Sequence, residues 1–205
     1  MVFGFVYFPM TIHEREMDGK STITGACSQP VSFGKENDNQ YTTQAKTISL
    51  PGKSCNLHIS DSLMKDVSSV ATVLSCFEAL TEVKNLQGDY YLLTPGMSHV
   101  AGGITEVKGS SMGLAMLLAM LHHVSENDSV LFTGAIRAIG QRIRTLDDVY
   151  ALPVGGIDCL KQKLQYNNDK QIVTCAESIP TTLTPEERKR VIVVKTVGEC
   201  IPYVK

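Results

Sequence analysis

The sequence lacks the features that mark several large classes of protein. Lys and Arg number 19 and Asp and Glu 21, so a formal net charge of −2 leaves no basic surplus for coating nucleic acid. The longest strongly apolar run, residues 112–121, is about half of what a membrane-spanning helix needs. No basic region precedes the first apolar residues, so a signal peptide is not expected. These absences predict a soluble, cytoplasmic protein without nucleic-acid or membrane partners.

Paired cysteine motifs are also absent. No two cysteines are spaced as C-x-x-C, and the 5 histidines do not combine with them at the spacing of metal ligands. Apolar residues make up 43% of the 205 positions, which is enough to bury a core without disulfides. We therefore expect reduced thiols, no metal and no cofactor. The 6 cysteines are Cys27, Cys55, Cys76, Cys159, Cys175 and Cys200.

Strand and helix patterns alternate along the chain without a repeat or a linker. Residues rich in β-branched and aromatic side chains predict strands at 2–8, 46–50, 56–59, 90–94, 130–133, 171–175 and 191–194. A polar stretch allows a further short strand at 21–24. Apolar spacing predicts helices at 61–77, 111–123 and 157–166, and a capping box at Thr184 predicts a short fourth helix. Residues 137–152 are predicted to form a polar connection. The chain is thus expected to be one α+β domain over residues 1–205, with small sheets packed against a few helices.

The stretch Gly52-Lys53-Ser54 has the ending of a phosphate-binding loop. That motif needs a glycine five residues before its Gly-Lys pair, and Thr47 occupies the position here. The next predicted helix also begins too late, at Asp61. We interpret the stretch as a turn between two strands.

A glycine-bearing loop at 109–113 leads directly into the apolar helix predicted from residue 111. A serine at such a position lies beside free backbone N–H groups and the positive end of the helix dipole. Those donors are what an oxyanion hole requires, although an ordinary serine cap has the same pattern. The stretch itself does not choose between Ser110 and Ser111.

A serine nucleophile needs a base, and no histidine lies in an obvious partner segment. Lys161 and Lys163 lie on the helix predicted after Gly155-Gly156. A lysine can act as a base if burial lowers its pKa, because desolvation disfavours the ammonium. A lysine on an amphipathic helix can equally be a solvated surface group.

Five stretches, in the same order along the chain, resemble the proteolytic domain of Lon proteases, and the resemblance covers most of the chain. Residues 4–9 look like the first strand of that family, and residues 50–66 are similar to its "MPGKG…L…DVMKES" stretch. Residues 108–113 resemble "DGPSAG", residues 133–136 resemble "TGEI", and residues 152–157 match "LPVGGI".

The resemblance implies a serine endopeptidase with a Ser-Lys catalytic dyad. It identifies Ser111 as the nucleophile, places Thr133 near the catalytic lysine, and assigns oxyanion binding to the backbone of Gly109 and Ser110. The implied substrate is a polypeptide, with neither a cofactor nor a metal.

The chain departs from the family at the lysine. In an ungapped alignment the catalytic lysine falls on Leu160. The stretch Leu160-Lys161-Gln162-Lys163-Leu164 resembles "LKEKL" with one extra helical turn before it, which makes Lys163 the base and leaves Lys161 as the alternative. The proline before the serine and the glutamate of "TGEI" are also lost, and residues 137–151 form a longer segment. These departures leave open a catalytically inactive Lon-like binding or assembly module.

The ATPase module of Lon has no counterpart in the sequence. Free-standing enzymes similar to Lon include the birnavirus proteases that process their own polyprotein, a looser resemblance. It implies action without ATP, with self or a polyprotein as the substrate, and host cytoplasm as the location if the chain is viral. Because Lon domains form rings, a homo-oligomer is compatible with the sequence.

Overall fold

A computed structural model describes residues 2–15, 21–35, 45–49, 55–60, 63, 67–80, 86–94, 111–125, 128–138, 140, 142–153 and 157–205. Within these ranges the strands form sheets of five, three and two strands that pack with α-helices. The predicted α+β fold class is confirmed. None of the 6 cysteines, all of them among the described residues, is in a disulfide. No helix among the described residues is long and apolar enough to cross a membrane.

The five-stranded sheet comes from the first half of the chain. Its strands are β1 (Val2–Arg15), β2 (Ser21–Gly34), β3 (Ala45–Ser49), β4 (Cys55–Ser60) and β5 (Gly88–Leu93), in the order β1-β2-β5-β4-β3. The antiparallel pair β3–β4 is the ribbon that the sequence predicts. The turn between them lies outside the described residues. Strands β4 and β5 are parallel, with helix α1 (Val67–Leu80) between them in the chain.

Two strands of this sheet are longer than predicted. Strand β1 continues past Pro9 because it lies at a sheet edge, where the missing N–H of proline is tolerated. Strand β2 extends over the stretch in which only residues 21–24 were expected to be a strand. The polar composition of β2 conceals a few deeply buried side chains, Val31 and Phe33 among them, and antiparallel pairing along β1 supplies its hydrogen bonds. Composition alone therefore predicts too short a strand when pairing with a neighbouring strand supplies the stability.

Helix α2 (Gly113–Met120) runs through the main core, and all of its residues are buried. The predicted helix was longer, to His123; instead the chain turns at His122, whose φ is 67°. Helix α2 packs against β1, β2 and α1. It is the buried apolar segment that the sequence predicts; residues 109 and 110 of the glycine-bearing stretch before it lie outside the described residues.

The three-stranded sheet is parallel and lies in the second half of the chain. It contains β6 (Val130–Phe132), β9 (Gln171–Thr174) and β10 (Val191–Val193), in the order β10-β9-β6. Helix α3 (Ile157–Tyr166) has the bounds that the sequence predicts, and the short helix α4 (Pro185–Lys189) begins at the predicted Thr184 capping box. Because parallel strands end at the same sheet edge, the residues that follow β6 and β9 are brought close together.

Residues 137–152 are not the polar connection that the sequence predicts. They contribute to an antiparallel pair, β7 (Ala135–Ala138) and β8 (Val149–Leu152), with a 3-10 turn at Leu146–Asp148. Each strand has four residues, too few to show a clear alternation. Buried Ile136 lies opposite buried Ala151, so the pair is stabilised by packing that the local pattern does not reveal.

Gly4→Ala is expected to destabilise the protein strongly, by about 3 kcal/mol. A Cβ on Gly4 would overlap the backbone carbonyl of Ala119 in the buried helix α2, and neither backbone can move without disturbing the core. Urea unfolding followed by circular dichroism measures the loss. Gly113→Ala is the matched control, since its Cβ would meet nothing closer than 3.4 Å. Equal stability of both variants would contradict the close approach.

Candidate functional site

One of the two candidate lysines on helix α3 has its side chain buried in the protein interior. Lys163 is only 5% exposed and shares the buried face with Leu160 and Leu164. Lys161 is half-buried, and its charge acts on Glu187 of α4. Residues two apart on an α-helix are rotated by about 200°, so the two lysines cannot point the same way.

The buried lysine is held by a threonine from another element. Lys163 Nζ donates a hydrogen bond to Thr133 Oγ1 over 2.9 Å. Thr133 is 2% exposed and follows directly after β6, and its backbone N–H donates to the carbonyl of Val173 on β9 at 3.0 Å. The sheet thus fixes the threonine, and the threonine orients the amine. This is the pair that the motif at 133–136 implies.

Burial changes the acid–base behaviour of this lysine. Desolvation lowers the pKa of Lys163 from 10.5 to about 8, and the nearby Cys159 thiol acts more weakly in the opposite direction. The ammonium is disfavoured because burial removes its water and leaves few groups to replace it. Around pH 8 a large fraction of Lys163 is therefore a neutral amine, which can accept a proton.

The start of α2, with Ser111 just before it, is hydrogen-bonded through its backbone to the segment that contains Thr133. The N–H of Gly134 donates to the carbonyl of Ser111 at 3.0 Å, and the N–H of Leu114 donates to the carbonyl of Gly134 at 3.0 Å. These two bonds attach the start of α2 to the residue after Thr133. Gly134 suits this position because a Cβ there would lie 3.3 Å from the carbonyl oxygen of Leu152. Ser111 itself is half-buried.

The described residues thus join Lys163 to Thr133 by a side-chain bond, and Ser111 to the neighbouring Gly134 by a backbone bond, although these residues are far apart in the sequence. Lys161 does not join them. Gly109 and Ser110, expected to bind the oxyanion, lie outside the described residues, as do residues 154–156 of the "LPVGGI" match. The oxyanion assignment stays a prediction. Gly52-Lys53-Ser54 also lies outside them.

Sequence reasoning missed three side chains around the lysine. Leu160, Thr174 and Ser178 line one narrow space together with Thr133 and Lys163. Thr174 is the last residue of β9, and Ser178 follows in a 3-10 turn. Neither belongs to a recognisable motif. Leu160 occupies the ungapped position of the family's lysine, and its place one helical turn from Lys163 puts both on the same face. Among the residues described, no cluster of three or more His, Cys, Asp or Glu could hold a metal ion.

Comparison with known proteins supports the resemblance seen in the motifs. The sequence is 31% identical over 149 residues to the Lon protease of Erwinia amylovora, an alignment that covers 71% of this chain. The chain spans 16% of the length of that relative. No model of a known protein family matches the chain.

One solved structure that the chain matches is described as a novel viral protease with a serine/lysine catalytic dyad mechanism. It is 12% identical in sequence, with a TM-score of 0.43, and the match covers 98% of this chain and 84% of that chain. The resemblance to Lon proteases that the motifs predict is confirmed by the sequence comparison, over the greater part of the chain.

Proposed function

We propose that this protein is a serine endopeptidase that hydrolyses peptide bonds through a Ser-Lys dyad. Ser111 is the nucleophile, Lys163 is the base, and Thr133 orients the lysine. The observation that carries the proposal is the 2.9 Å bond from the buried Lys163 amine to Thr133, beside the residue that binds Ser111. Similarity to a Lon protease gives independent support.

The geometry supports a two-step acyl transfer. The neutral amine of Lys163 takes the proton of the Ser111 hydroxyl as Oγ attacks the scissile carbonyl carbon. The resulting ammonium gives that proton to the leaving amine nitrogen, and the C–N bond breaks to leave an acyl-enzyme ester. Water then attacks the ester carbonyl, with Lys163 again accepting and returning a proton. Ser111 and the lysine end as they began.

The developing oxyanion needs hydrogen-bond donors. We assign this role to backbone N–H groups of Gly109 and Ser110, at the entry to α2. In other acyl-transfer enzymes the loss of one such donor costs about 3–4 kcal/mol of transition-state stabilisation. Both residues precede Ser111 directly, so the donors and the nucleophile would belong to one short segment.

Lys163 is preferred to Lys161 as the base for a physical reason. A general base must be neutral near the working pH, and burial moves the pKa of Lys163 toward that condition. Lys161 is half-buried, its charge acts on the carboxylate of Glu187, and its direction on α3 is about 200° from that of Lys163. One extra helical turn precedes Lys163 in this chain, so an alignment without gaps pairs the family's catalytic lysine with Leu160.

A catalytically inactive binding or assembly module is the second candidate. The displaced lysine and the lost proline and glutamate favour it. The burial of Lys163 argues against it, because a buried ammonium destabilises a fold and a purely structural module gains nothing from it. The two candidates differ in whether Ser111 is reactive.

The wider role is also a proposal. We propose that residues 1–205 act as one proteolytic domain on polypeptides, including its own chain or a polyprotein, in the cytoplasm (host cytoplasm if the chain is viral). Peptide hydrolysis at the dyad needs no nucleotide, so an unfolded protein should be cleaved without ATP. A homo-oligomer remains compatible with this chemistry.

The test is acylation of the protein by a peptidyl β-lactone between pH 6 and pH 10, followed by intact mass and peptide mapping. A single adduct on Ser111 is expected. Its rate should rise about tenfold per pH unit well below pH 8 and level off above it, because only neutral Lys163 is active and its pKa is about 8.

The controls separate the two candidates. Lys161→Ala should react like the wild type. A rate that is flat from pH 6 to pH 10 would argue against a lysine base. The absence of any adduct at pH 7–9, from protein shown to be folded, would favour the inactive module.

A further inference from the structure

One buried hydroxyl beside the dyad lacks a hydrogen-bond partner. Thr174 is 0% exposed, and its Oγ1 bonds to no group among the described residues. Its backbone carbonyl is engaged, since it accepts from the N–H of Val194 at 2.9 Å. Buried hydroxyls are nearly always paired in native proteins, so this one needs an explanation.

The surroundings of Thr174 limit what its partner can be. The space that it shares with the described side chains of Thr133, Leu160, Lys163 and Ser178 is too narrow to hold a water molecule. Ser178 Oγ lies 3.4 Å from Cys175 Sγ and is already engaged there. Among the described side chains that line this space, Lys163 is the one charged group, and its amine carries more N–H groups than its single bond to Thr133 uses.

The catalytic cycle creates a need for a second acceptor. A neutral lysine amine has two N–H groups and one lone pair, and the ammonium has three N–H groups. Thr133 accepts one of them. When Lys163 holds the proton taken from Ser111, the N–H left over beside those directed to Thr133 and to the reacting atoms has no acceptor among the described residues. Thr174 borders the same narrow space from the end of the adjacent strand.

We infer that Thr174 is a positioning residue for the dyad, whose Oγ1 accepts an N–H of Lys163 when the lysine is protonated. The inference rests on the proposed function. Together with Thr133 it would hold the amine between two hydroxyls, so that the third N–H points to Ser111 and the leaving group. Thr174 touches neither substrate nor the reacting atoms.

Other titratable groups around α3 stay the same when Thr174 is changed. On α3 itself the group that acts on Lys163 is Cys159. Beyond β9 lie Cys175 and Glu177, and the strands packed against α3 carry Tyr7 on β1 and Cys27 on β2. A change in the titration of Lys163 after removal of the Thr174 hydroxyl would therefore report on that hydroxyl.

The experiment compares Thr174→Val, which keeps the shape and removes the hydroxyl, with Thr174→Ser, which keeps the hydroxyl. Thr182→Val is the control at an exposed threonine. We expect Thr174→Val to lower kcat by about tenfold to a hundredfold, the effect of one hydrogen bond to a charged group, with KM unchanged. Thr174→Ser should restore most of the rate.

The pH profile gives a readout that a packing role would not move. An acceptor stabilises the ammonium, so its loss should lower the pKa of Lys163 further and shift the rising limb of kcat to lower pH. The same titration can be followed without activity by 15N NMR of the lysine Nζ, assigned with Lys163→Met.

Each outcome decides the inference. Unchanged kcat and an unchanged Lys163 titration in Thr174→Val would overturn it. Equal losses in Thr174→Val and Thr174→Ser, with a lower Tm in both, would assign Thr174 a packing role instead. A wild-type protein that neither hydrolyses nor acylates would refute the proposed function, while the NMR titration would still test the hydrogen bond.

Discussion

Ser111→Ala is expected to lower kcat for peptide hydrolysis by roughly five to six orders of magnitude. In the proposed mechanism the hydroxyl forms the covalent acyl-enzyme, and without it only the oxyanion donors and substrate binding would assist attack by water. The fold should not suffer, since the structural bond of Ser111 comes from its backbone carbonyl, which alanine keeps. The measurement is hydrolysis of an unfolded protein substrate, followed by mass spectrometry of the products.

The adjacent serine makes this a sharp test. The Tm of Ser111→Ala should equal that of the wild type, which excludes unfolding as the cause of lost activity. If Ser111→Ala were fully active and Ser110→Ala inactive, the nucleophile would be Ser110 and not Ser111. Full activity in both variants would refute the serine mechanism.

Lys163→Met is expected to lower kcat by about two to four orders of magnitude, the usual contribution of a positioned base. Methionine fills a similar volume on the buried face of α3 but cannot accept a proton. Lys161→Met is the matched control and should stay within about threefold of the wild type, because Lys161 points away from Thr133. Steady-state kinetics on a peptide substrate at pH 8–9 measure both. A large loss in Lys161→Met with little loss in Lys163→Met would reverse the assignment.

The unfolding free energy of Lys163→Met, measured against pH, distinguishes loss of the catalytic base from loss of the folded structure. The pKa of Lys163 is about 8 in the folded protein against 10.5 for an ordinary lysine. Between these values the unfolded chain binds the proton and the folded chain does not, so Lys163 makes a contribution to the unfolding free energy that rises with pH across this window. The rise, on the order of 3 kcal/mol in total, should be absent in Lys163→Met. Urea unfolding at pH 7.5 and pH 10.5 measures it, and equal slopes in both proteins would contradict the burial.

Elements specified by local signals were predictable from the sequence. Helix α3 was predicted with its observed bounds, because its apolar spacing spans several turns. The capping box at Thr184 was predicted and observed, since its two reciprocal bonds involve residues three apart. The ribbon β3–β4 was also predicted, from two short patterns on either side of a turn.

Elements that depend on a distant neighbour were not predictable. Most of β2 reads as a polar segment, yet β1 pairs along it and buries Val31 and Phe33. Strands β7 and β8 are four residues long, and each is stabilised mainly by the other and by the packing of Ile136 and Ala151. The free energy of such a strand comes from pairing and burial, which a local pattern does not contain.

The sequence by itself determined the candidates for the site. Glycines before a buried helix and five family-like stretches directed attention to Ser111 and Thr133, and a short lysine motif limited the base to Lys161 or Lys163. Apolar spacing also placed both lysines on one predicted helix, α3.

Only the tertiary structure decided which of the two lysines is buried. Burial is a property of what packs against a helix, and the partners of α3 come from β1, β2 and the strand ends at Thr133 and Thr174, far away in the sequence. Desolvation, which lowers the pKa of Lys163 toward the working range of a base, exists only once those elements have assembled. The residue types are written in the sequence, but their acid–base chemistry arises from packing.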